Sequence, residues 1–116
     1  MRLIIAGSRG FSSFEQLTER LDFFLSAVDE PIEFVSGGAR GADRLGERYA
    51  ALRGYPVVQF IPDWHRLGRR AGIVRNEAMA GYATHLVAFW DGVSPGTQHM
   101  IDFARRRGLG VRVVSF

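Results

Sequence analysis

Apolar runs alternate with amphipathic stretches from one end of the chain to the other. Short runs rich in β-branched residues predict five strands, at residues 2–6, 32–36, 56–61, 84–90 and 111–115. The stretches between them place apolar residues three and four positions apart, as amphipathic helices do. Because strands and helices alternate strictly, the pattern predicts one α/β domain over residues 1–116. This is a small Rossmann-like, three-layer fold with a five-stranded parallel sheet flanked by about four helices.

Capping residues predict where the helices begin. Ser12 and Glu15 have the spacing of a capping box at the start of the first helix. Residues 62–72 are mostly polar, which predicts a long loop, and the helix after it is predicted to begin at about Ile73. Thr97 is predicted to cap the last helix, where its hydroxyl also reaches a phosphate.

Glycine-rich or polar segments follow the first four predicted strands, at residues 7–11, 37–41, 63–64 and 91–97. The carboxyl ends of parallel strands share one edge of the sheet, and ligands of such folds bind at that edge. Glycine lets the backbone approach a ligand, and the amide N–H groups of a helix N-terminus favour anions. The sequence therefore predicts a phosphate-bearing ligand at this edge.

Any anion site in this chain must use arginine or backbone amides, because all 15 basic residues are arginine. Without lysine there is no P-loop, and the first turn lacks the G-x-G-x-x-G of dinucleotide-binding folds. The candidate ligand-binding residues are Gly7, Ser8, Arg9, Gly10, Phe11, Ser36, Gly37, Gly38, Ala39, Arg40, Gly41, Asp43, Asp63, Trp64, Arg75, Asn76, Asp91, Ser94, Gly96, Thr97 and His99.

Several candidates have a structural explanation beside the functional one. Asp43 orients the loop at 37–41, meets a ribose, or is a first-turn carboxylate favoured by the helix dipole. Trp64 either stacks on a base or packs as a lid. Arg75 is predicted near the start of a helix, where its charge opposes the helix dipole and favours an external anion. Asp91 contacts a ribose, acts as a base, or forms a turn before the following glycine.

Five motifs resemble one known family. They are G-S-R-G-F, V-S-G-G-A-R-G-A-D, P-D-W, R-N-E-A-M and F-W-D-G-V-S-P-G-T-Q-H-M, in this order along nearly the whole chain. They are similar to the YspA/YpsA-related branch of the SLOG superfamily, and the second also resembles a segment of the DNA-processing protein DprA. The resemblance implies a Rossmann-like fold and, as ligand, a nucleotide or a nucleotide derivative such as an ADP-ribose-like molecule.

One departure from the superfamily bears on catalysis. Its LOG-type phosphoribohydrolases carry a glutamate in G-G-x-G-T-x-x-E, and Met100 stands at that position here. The expected function is therefore binding without turnover, as a sensor, a sequestering protein or an accessory module. One alternative is a nucleotide N-glycoside or phosphate hydrolase with Asp91, Glu77 or His99 as acid or base. The other is single-stranded nucleic-acid binding as in DprA, which is less favoured.

Composition bears on location and assembly. The chain has no cysteine and no apolar run near the ~20 residues of a membrane span, so we expect a cytoplasmic protein without a membrane partner. The three histidines lack metal-ligand spacing, and no metal or further cofactor is expected. Phe23 lies roughly 100° off the apolar face of the first helix. An exposed aromatic side chain there predicts a homodimer or larger homo-oligomer.

Overall fold

The computed structural model describes all 116 residues as five strands and five helices, with one 3₁₀ turn at Gly68–Arg70. The strands are β1 (Arg2–Gly7), β2 (Glu33–Ser36), β3 (Val57–Gln59), β4 (His85–Trp90) and β5 (Gly110–Ser115). The helices are α1 (Phe14–Leu25), α2 (Ala42–Arg53), α3 (Trp64–Leu67), α4 (Ala71–Tyr82) and α5 (Pro95–Arg106). The predicted three-layer, Rossmann-like fold is confirmed.

All five strands are parallel and lie in the order β3-β2-β1-β4-β5. The chain starts in the middle of the sheet, extends through β2 to β3, and returns to the other side of β1 as β4. The segments that follow β1 and β4 therefore diverge, although the two strands are neighbours, with Ala6 opposite Ala88. A crevice opens at such a switch point, and ligands of doubly wound folds bind there.

Alternate residues of the central strands face opposite helix layers. Leu3 and Ile5 of β1 pack with the buried side chains of α1 and α2, whereas Ile4 and Ala6 pack with those of α4 and α5. Both faces of the sheet are covered, so successive residues of the central strands are apolar. This buried centre fixes the places from which the carboxyl-edge loops leave the sheet.

Two predicted helix starts were wrong by a few residues. Ser13, not Ser12, caps α1, and its side chain accepts a hydrogen bond from the backbone N–H of Gln16 at 3.1 Å. α5 begins at Pro95, so Thr97 lies inside its first turn and is not its cap.

The predicted loop at 62–72 is mostly helical. Asp63 caps α3 by accepting a hydrogen bond from the backbone N–H of Arg66 at 3.1 Å, and the 3₁₀ turn leads directly into α4. Because α4 begins at Ala71, Arg75 lies in its second turn. The helix-dipole explanation of Arg75 therefore fails, and its position must be explained by its contacts.

None of the helices combines the length and the apolar character that crossing a membrane requires.

Candidate functional site

A cleft of about 970 Å³ lies at the carboxyl edge of the sheet, a volume within the usual range for small-molecule sites. The segments after β1, β2 and β3 form one part of it, and α4 from Gly72 to Met79, with the start of α5, forms the rest. Most of the predicted ligand-binding residues meet in this cleft. They are Gly7, Ser8, Arg9, Gly10, Gly37, Gly38, Ala39, Arg40, Asp43, Trp64, Arg75, Asn76, Ser94, Gly96, Thr97 and His99.

The remaining candidates do not line the cleft; they are Phe11, Ser36, Gly41, Asp63, Asp91 and Glu77. Phe11 is a core residue whose ring stacks on that of Phe89 at 4.7 Å between centroids. Ser36 is buried and donates a hydrogen bond to the Glu47 carboxylate at 2.6 Å. Phe11 and Ser36 therefore pack beneath the loops and do not face the cleft.

The loop after β1 is held by its packing against β4. The backbone N–H of Ser8 donates to the carbonyl of Phe89 at 2.9 Å, and the Ser8 hydroxyl accepts from the N–H of Asp91 at 3.2 Å. A side chain at Gly7 would lie 2.8 Å from Cβ of Ala42 and would collide with the Phe89 carbonyl. Gly7 is therefore required by the close approach of β1, β4 and α2.

The loop after β2 depends on backbone conformation and on internal hydrogen bonds. Gly38 and Gly41 have φ of 73° and 82°, values that residues with a side chain rarely adopt. The N–H of Gly38 donates to the Ser36 hydroxyl at 3.1 Å, and the N–H of Ala39 donates to the Asp43 carboxylate at 3.3 Å. Two of the three explanations offered for Asp43 have support, since its carboxylate bonds to the loop and it lies in the first turn of α2.

Asp43 carries the strongest electrostatic perturbation in the cleft. Burial raises its pKa from the ordinary value of 3.8 to about 6, and the nearby Glu47 adds to the rise. The positive charge of Arg75 and the N–H groups of Ala39 and Gly37 oppose that rise. A carboxyl group with a pKa near neutrality inside a cleft is typical of a functional site.

Arg75 reaches back from α4 to the loop after β2. One Nη donates to the Gly37 carbonyl at 2.8 Å, and Nε donates to Oδ1 of Asn76 at 2.9 Å. No carboxylate forms an ion pair with this half-buried guanidinium. Burial lowers its pKa, the positive charge of Arg9 lowers it further, and the negative charge of Asp43 opposes both. Arg75 and Arg9 thus line the same cleft with like charges, and Asp43 is the one carboxyl residue there that offsets them.

The cleft carries an excess of positive charge. Its arginines are Arg9, Arg40, Arg44, Arg69 and Arg75, and Asp43 is its one carboxyl residue. The first four are exposed, and none of them takes part in an ion pair. Arg44 and Arg69 were absent from the candidates predicted from sequence. Arg44 lies in the first turn of α2 and Arg69 lies in the 3₁₀ turn, and both elements border the cleft.

Part of the cleft wall is apolar. Ile61, Trp64 and Ile73 line it, although 66%, 52% and 48% of their surfaces are exposed. Sequence analysis missed both isoleucines. Ile61 was assigned to the third strand, but β3 ends at Gln59 and leaves Ile61 free to face the cleft. Exposed large apolar side chains on a concave surface indicate a binding surface for an apolar group.

Asp91 forms the turn that leads into α5. One of its carboxylate oxygens accepts from the N–H groups of Val93 and Ser94 at 2.9 and 2.8 Å. These two N–H groups, with the Ser94 hydroxyl, lower its pKa to about 2. The turn explanation of Asp91 therefore has direct support in the geometry. Glu77 is exposed on α4, outside the cleft.

Asn76 connects α4 to α5 at the bottom of the cleft. It is 6% exposed, and its amide nitrogen lies 3.3 Å from the Gly96 carbonyl oxygen and 3.4 Å from Nδ1 of His99. The His99 ring stacks on Phe103, with 5.9 Å between centroids. No three His, Asp or Glu side chains in the molecule come close enough together to hold a metal ion.

Comparison with known proteins gives the family. The model of the YspA, cpYpsA-related SLOG family matches residues 1–67. The chain belongs to this family. The match confirms the resemblance, and it covers both glycine-rich loops and Trp64, whereas Arg75, Asn76 and His99 lie beyond it. Membership of the SLOG family suggests nucleotide-related binding or processing in general terms.

A phage protein is similar in sequence to this chain over most of the length of both. The Gene 61 protein of Mycobacterium phage D29 is 33% identical over 116 aligned residues, which cover 95% of this chain and 93% of that protein. No solved structure matches the chain.

Proposed function

We propose that the protein binds a nucleotide or nucleotide derivative in the cleft through its phosphate, as a cytoplasmic sensor, sequestering protein or accessory module. The observation that carries this proposal is the environment of Arg75, half-buried in the same cleft as Arg9 and without an ion pair. Asp43 offsets part of this charge, but burying a guanidinium in a cleft with five arginines and one carboxyl residue is costly unless an anion binds there. A phosphate would supply that anion, and planar guanidinium groups suit its geometry.

Backbone groups at the same end of the cleft favour the same ligand. The loop from Gly37 to Arg40 borders the cleft beside Arg75. The first turn of α5 also faces the cleft, and no side chain caps its N-terminus. Free N–H groups and the positive end of the helix dipole at Gly96 and Thr97 would add to the attraction for phosphate.

The apolar part of the cleft wall suits the base of the nucleotide. Trp64 offers an exposed aromatic face, and Ile61 and Ile73 flank it on the cleft wall. Stacking of a base on an aromatic side chain contributes about 1–3 kcal/mol and tolerates any base. The cleft therefore offers both anion-binding groups and an apolar wall, as a nucleotide requires.

The geometry supports binding without turnover. Of the three acid or base candidates, Asp91 and Glu77 are outside the cleft lining, and only His99 faces it. Met100, which replaces the glutamate of the phosphoribohydrolases, lines the cleft with 1% of its surface exposed, and its side chain can act neither as an acid nor as a base. Incubation with adenosine monophosphate should release neither adenine nor phosphate. Steady release in proportion to protein concentration would favour the hydrolase instead.

The arginine rim supports a second candidate function, binding of single-stranded nucleic acid. Arg9, Arg40, Arg44 and Arg69 are exposed around one opening. Trp64 is the one aromatic side chain of the cleft, however, and a track of stacked bases needs several. Oligonucleotide affinity that falls steeply with salt, and exceeds the affinity for a mononucleotide, would favour this candidate.

Exchange of one arginine tests the anion site. Arg9 makes no hydrogen bond or ion pair within the protein, so Arg9→Met removes charge without removing a structural contact. We expect calorimetric affinity for adenosine monophosphate to fall about tenfold, as a lost charged hydrogen bond implies. Arg105→Met is the matched control, because Arg105 is exposed at the far end of α5. Equal affinity in the two variants would refute the site.

We also propose a homodimer or larger homo-oligomer that forms through α1. Phe23 is 74% exposed, and its ring has only Phe24 as an aromatic neighbour, edge-on at 5.9 Å. Light scattering should give a mass above the 13.0 kDa of one chain, and Phe23→Glu should reduce it. Leu52→Glu, at a position 59% exposed on α2, is the control. A monomeric wild type would refute the proposal.

A further inference from the structure

Asn76 is the one asparagine of the chain, and its amide orientation is fixed by its partners. The oxygen Oδ1 lies 2.9 Å from Nε of Arg75, which can only donate a hydrogen bond. The nitrogen Nδ2 lies 3.3 Å from the carbonyl oxygen of Gly96, which can only accept one. Reversing the amide would set donor against donor and acceptor against acceptor, so Nδ2 faces α5.

This orientation bears on which nitrogen of His99 carries its proton. Nδ2 of Asn76 lies 3.4 Å from Nδ1 of His99, so its second hydrogen is within reach of that nitrogen. Nδ1 can receive that hydrogen only if it carries none itself. The neutral ring then has its proton on Nε2, which has no partner within the protein. The ring plane is also held by stacking on Phe103.

We infer that Asn76 is a positioning residue that holds neutral His99 with its proton on Nε2. His99 then donates a hydrogen bond from Nε2 to an oxygen of the bound phosphate ester. In this tautomer His99 cannot act as the base that hydrolyses the ester. The ligand half of this inference rests on the proposed function. A general base needs a free lone pair directed at the substrate. In His99 the lone pair is on Nδ1, turned to Asn76. His99, the third acid or base candidate predicted from the sequence, would therefore bind the ligand without taking a proton from it.

The tautomer can be measured without any ligand. In ¹⁵N-labelled protein at pH 8, long-range proton–nitrogen NMR distinguishes protonated from unprotonated ring nitrogens, and loss of one signal set in His99→Gln gives the assignment. We expect a single tautomer for His99, with Nε2 protonated. His65 is exposed and makes no hydrogen bond within the protein, so it provides the averaged reference in the same sample. An averaged signal for His99, or a proton on Nδ1, would overturn the inference.

Two substitutions of Asn76 test its role as the positioning group. Asn76→Asp replaces the donor by a carboxylate, which should draw the proton of His99 to Nδ1. Asn76→Leu keeps the approximate volume and removes both polar atoms, so the two tautomers should mix. An unchanged His99 spectrum in both variants would mean that Asn76 does not set the tautomer. If neither variant folds, the wild-type spectrum still decides whether the tautomer is fixed.

Adenosine monophosphate tests the donor. His99→Gln keeps an N–H group at a similar reach and should bind within about threefold of wild type, whereas His99→Leu should bind about tenfold more weakly. Wild-type affinity in His99→Leu would overturn the donor role. Failure of adenosine monophosphate to bind the wild type would refute the proposed function and the donor role together. It would leave the NMR result on Asn76 standing, so the two failures can be told apart.

Discussion

Residues 7–11, at the end of β1, and residues 37–41, after β2, both contain glycines, but these glycines are required for different reasons. At Gly7 a side chain would collide with the carbonyl of Phe89, and Gly10 has open space around it. At Gly38 the backbone itself has positive φ, whereas Gly41 combines positive φ with a close approach to the Ser8 carbonyl. Gly7 is thus required by tertiary packing and Gly38 by local conformation, so substitution of Gly7 should affect folding and substitution of Gly38 should affect binding.

The largest expected effect is at Gly7. Gly7→Val forces a branched side chain between β1 and the backbone of β4, where Gly7 pairs with Phe89. We expect a loss of about 3 kcal/mol or more in the free energy of unfolding, a large share of the stability of a small domain. Gly10→Ala, in the same loop, should change it by less than about 0.5 kcal/mol. Chemical denaturation measures both, and equal stability of the two variants would refute the packing explanation.

The second prediction concerns Asp43 beneath the other loop. Its pKa is raised in the folded protein, from 3.8 to about 6, so folding favours the protonated form. This contribution to stability is complete below pH 4 and is lost as the pH rises to about 6. The shift corresponds to about 3 kcal/mol at 1.36 kcal/mol per pH unit. Asp43→Asn cannot ionise and should escape this loss.

The measurement is the difference in unfolding free energy between Asp43→Asn and wild type at several pH values. We expect it to move in favour of the variant by about 3 kcal/mol between pH 4 and pH 7.5. Other carboxyl groups titrate in both proteins and cancel in the difference. A difference that does not change with pH would show that Asp43 is not buried as described.

The third prediction separates binding from stability in the second loop. Gly38→Val should fold, but a branched side chain at φ of 73°, with Ile61 Cδ1 3.3 Å from its Cβ, should displace the loop. Affinity for adenosine monophosphate should fall at least tenfold, about 1.4 kcal/mol. Gly54→Val is the matched control, because Gly54 has φ of 79° at the end of α2, outside the cleft. Wild-type affinity in Gly38→Val would make the loop a structural turn only.

The fold could be predicted because its information is local. Apolar runs and helical spacing identify each element, and strict alternation leaves a parallel sheet as the consistent arrangement. The loops at its carboxyl edge follow from that topology. The prediction of a loop at 62–72 was wrong because α3 has only 4 residues, too few to show helical periodicity. The start of α3 depends on one hydrogen bond, from the backbone N–H of Arg66 to the Asp63 carboxylate.

The site could be predicted only in part because its decisive contacts join distant segments. Arg75 bonds to Gly37 across 38 positions, and Asn76 meets His99 across 23. Composition and motifs named these residues, but no sequence pattern states that Arg75 turns toward the second loop. The same holds for Ile61, whose exposure depends on where β3 ends.

Calorimetric titration with adenosine monophosphate, ribose 5-phosphate and adenosine tests the central claim most directly, which is that phosphate is the group recognised between Arg9, Arg75 and the second loop. The account predicts that adenosine monophosphate binds most tightly, that ribose 5-phosphate keeps most of that affinity, and that adenosine binds weakly. Adenosine binding as tightly as its monophosphate, or no binding of either phosphate ester, would contradict it.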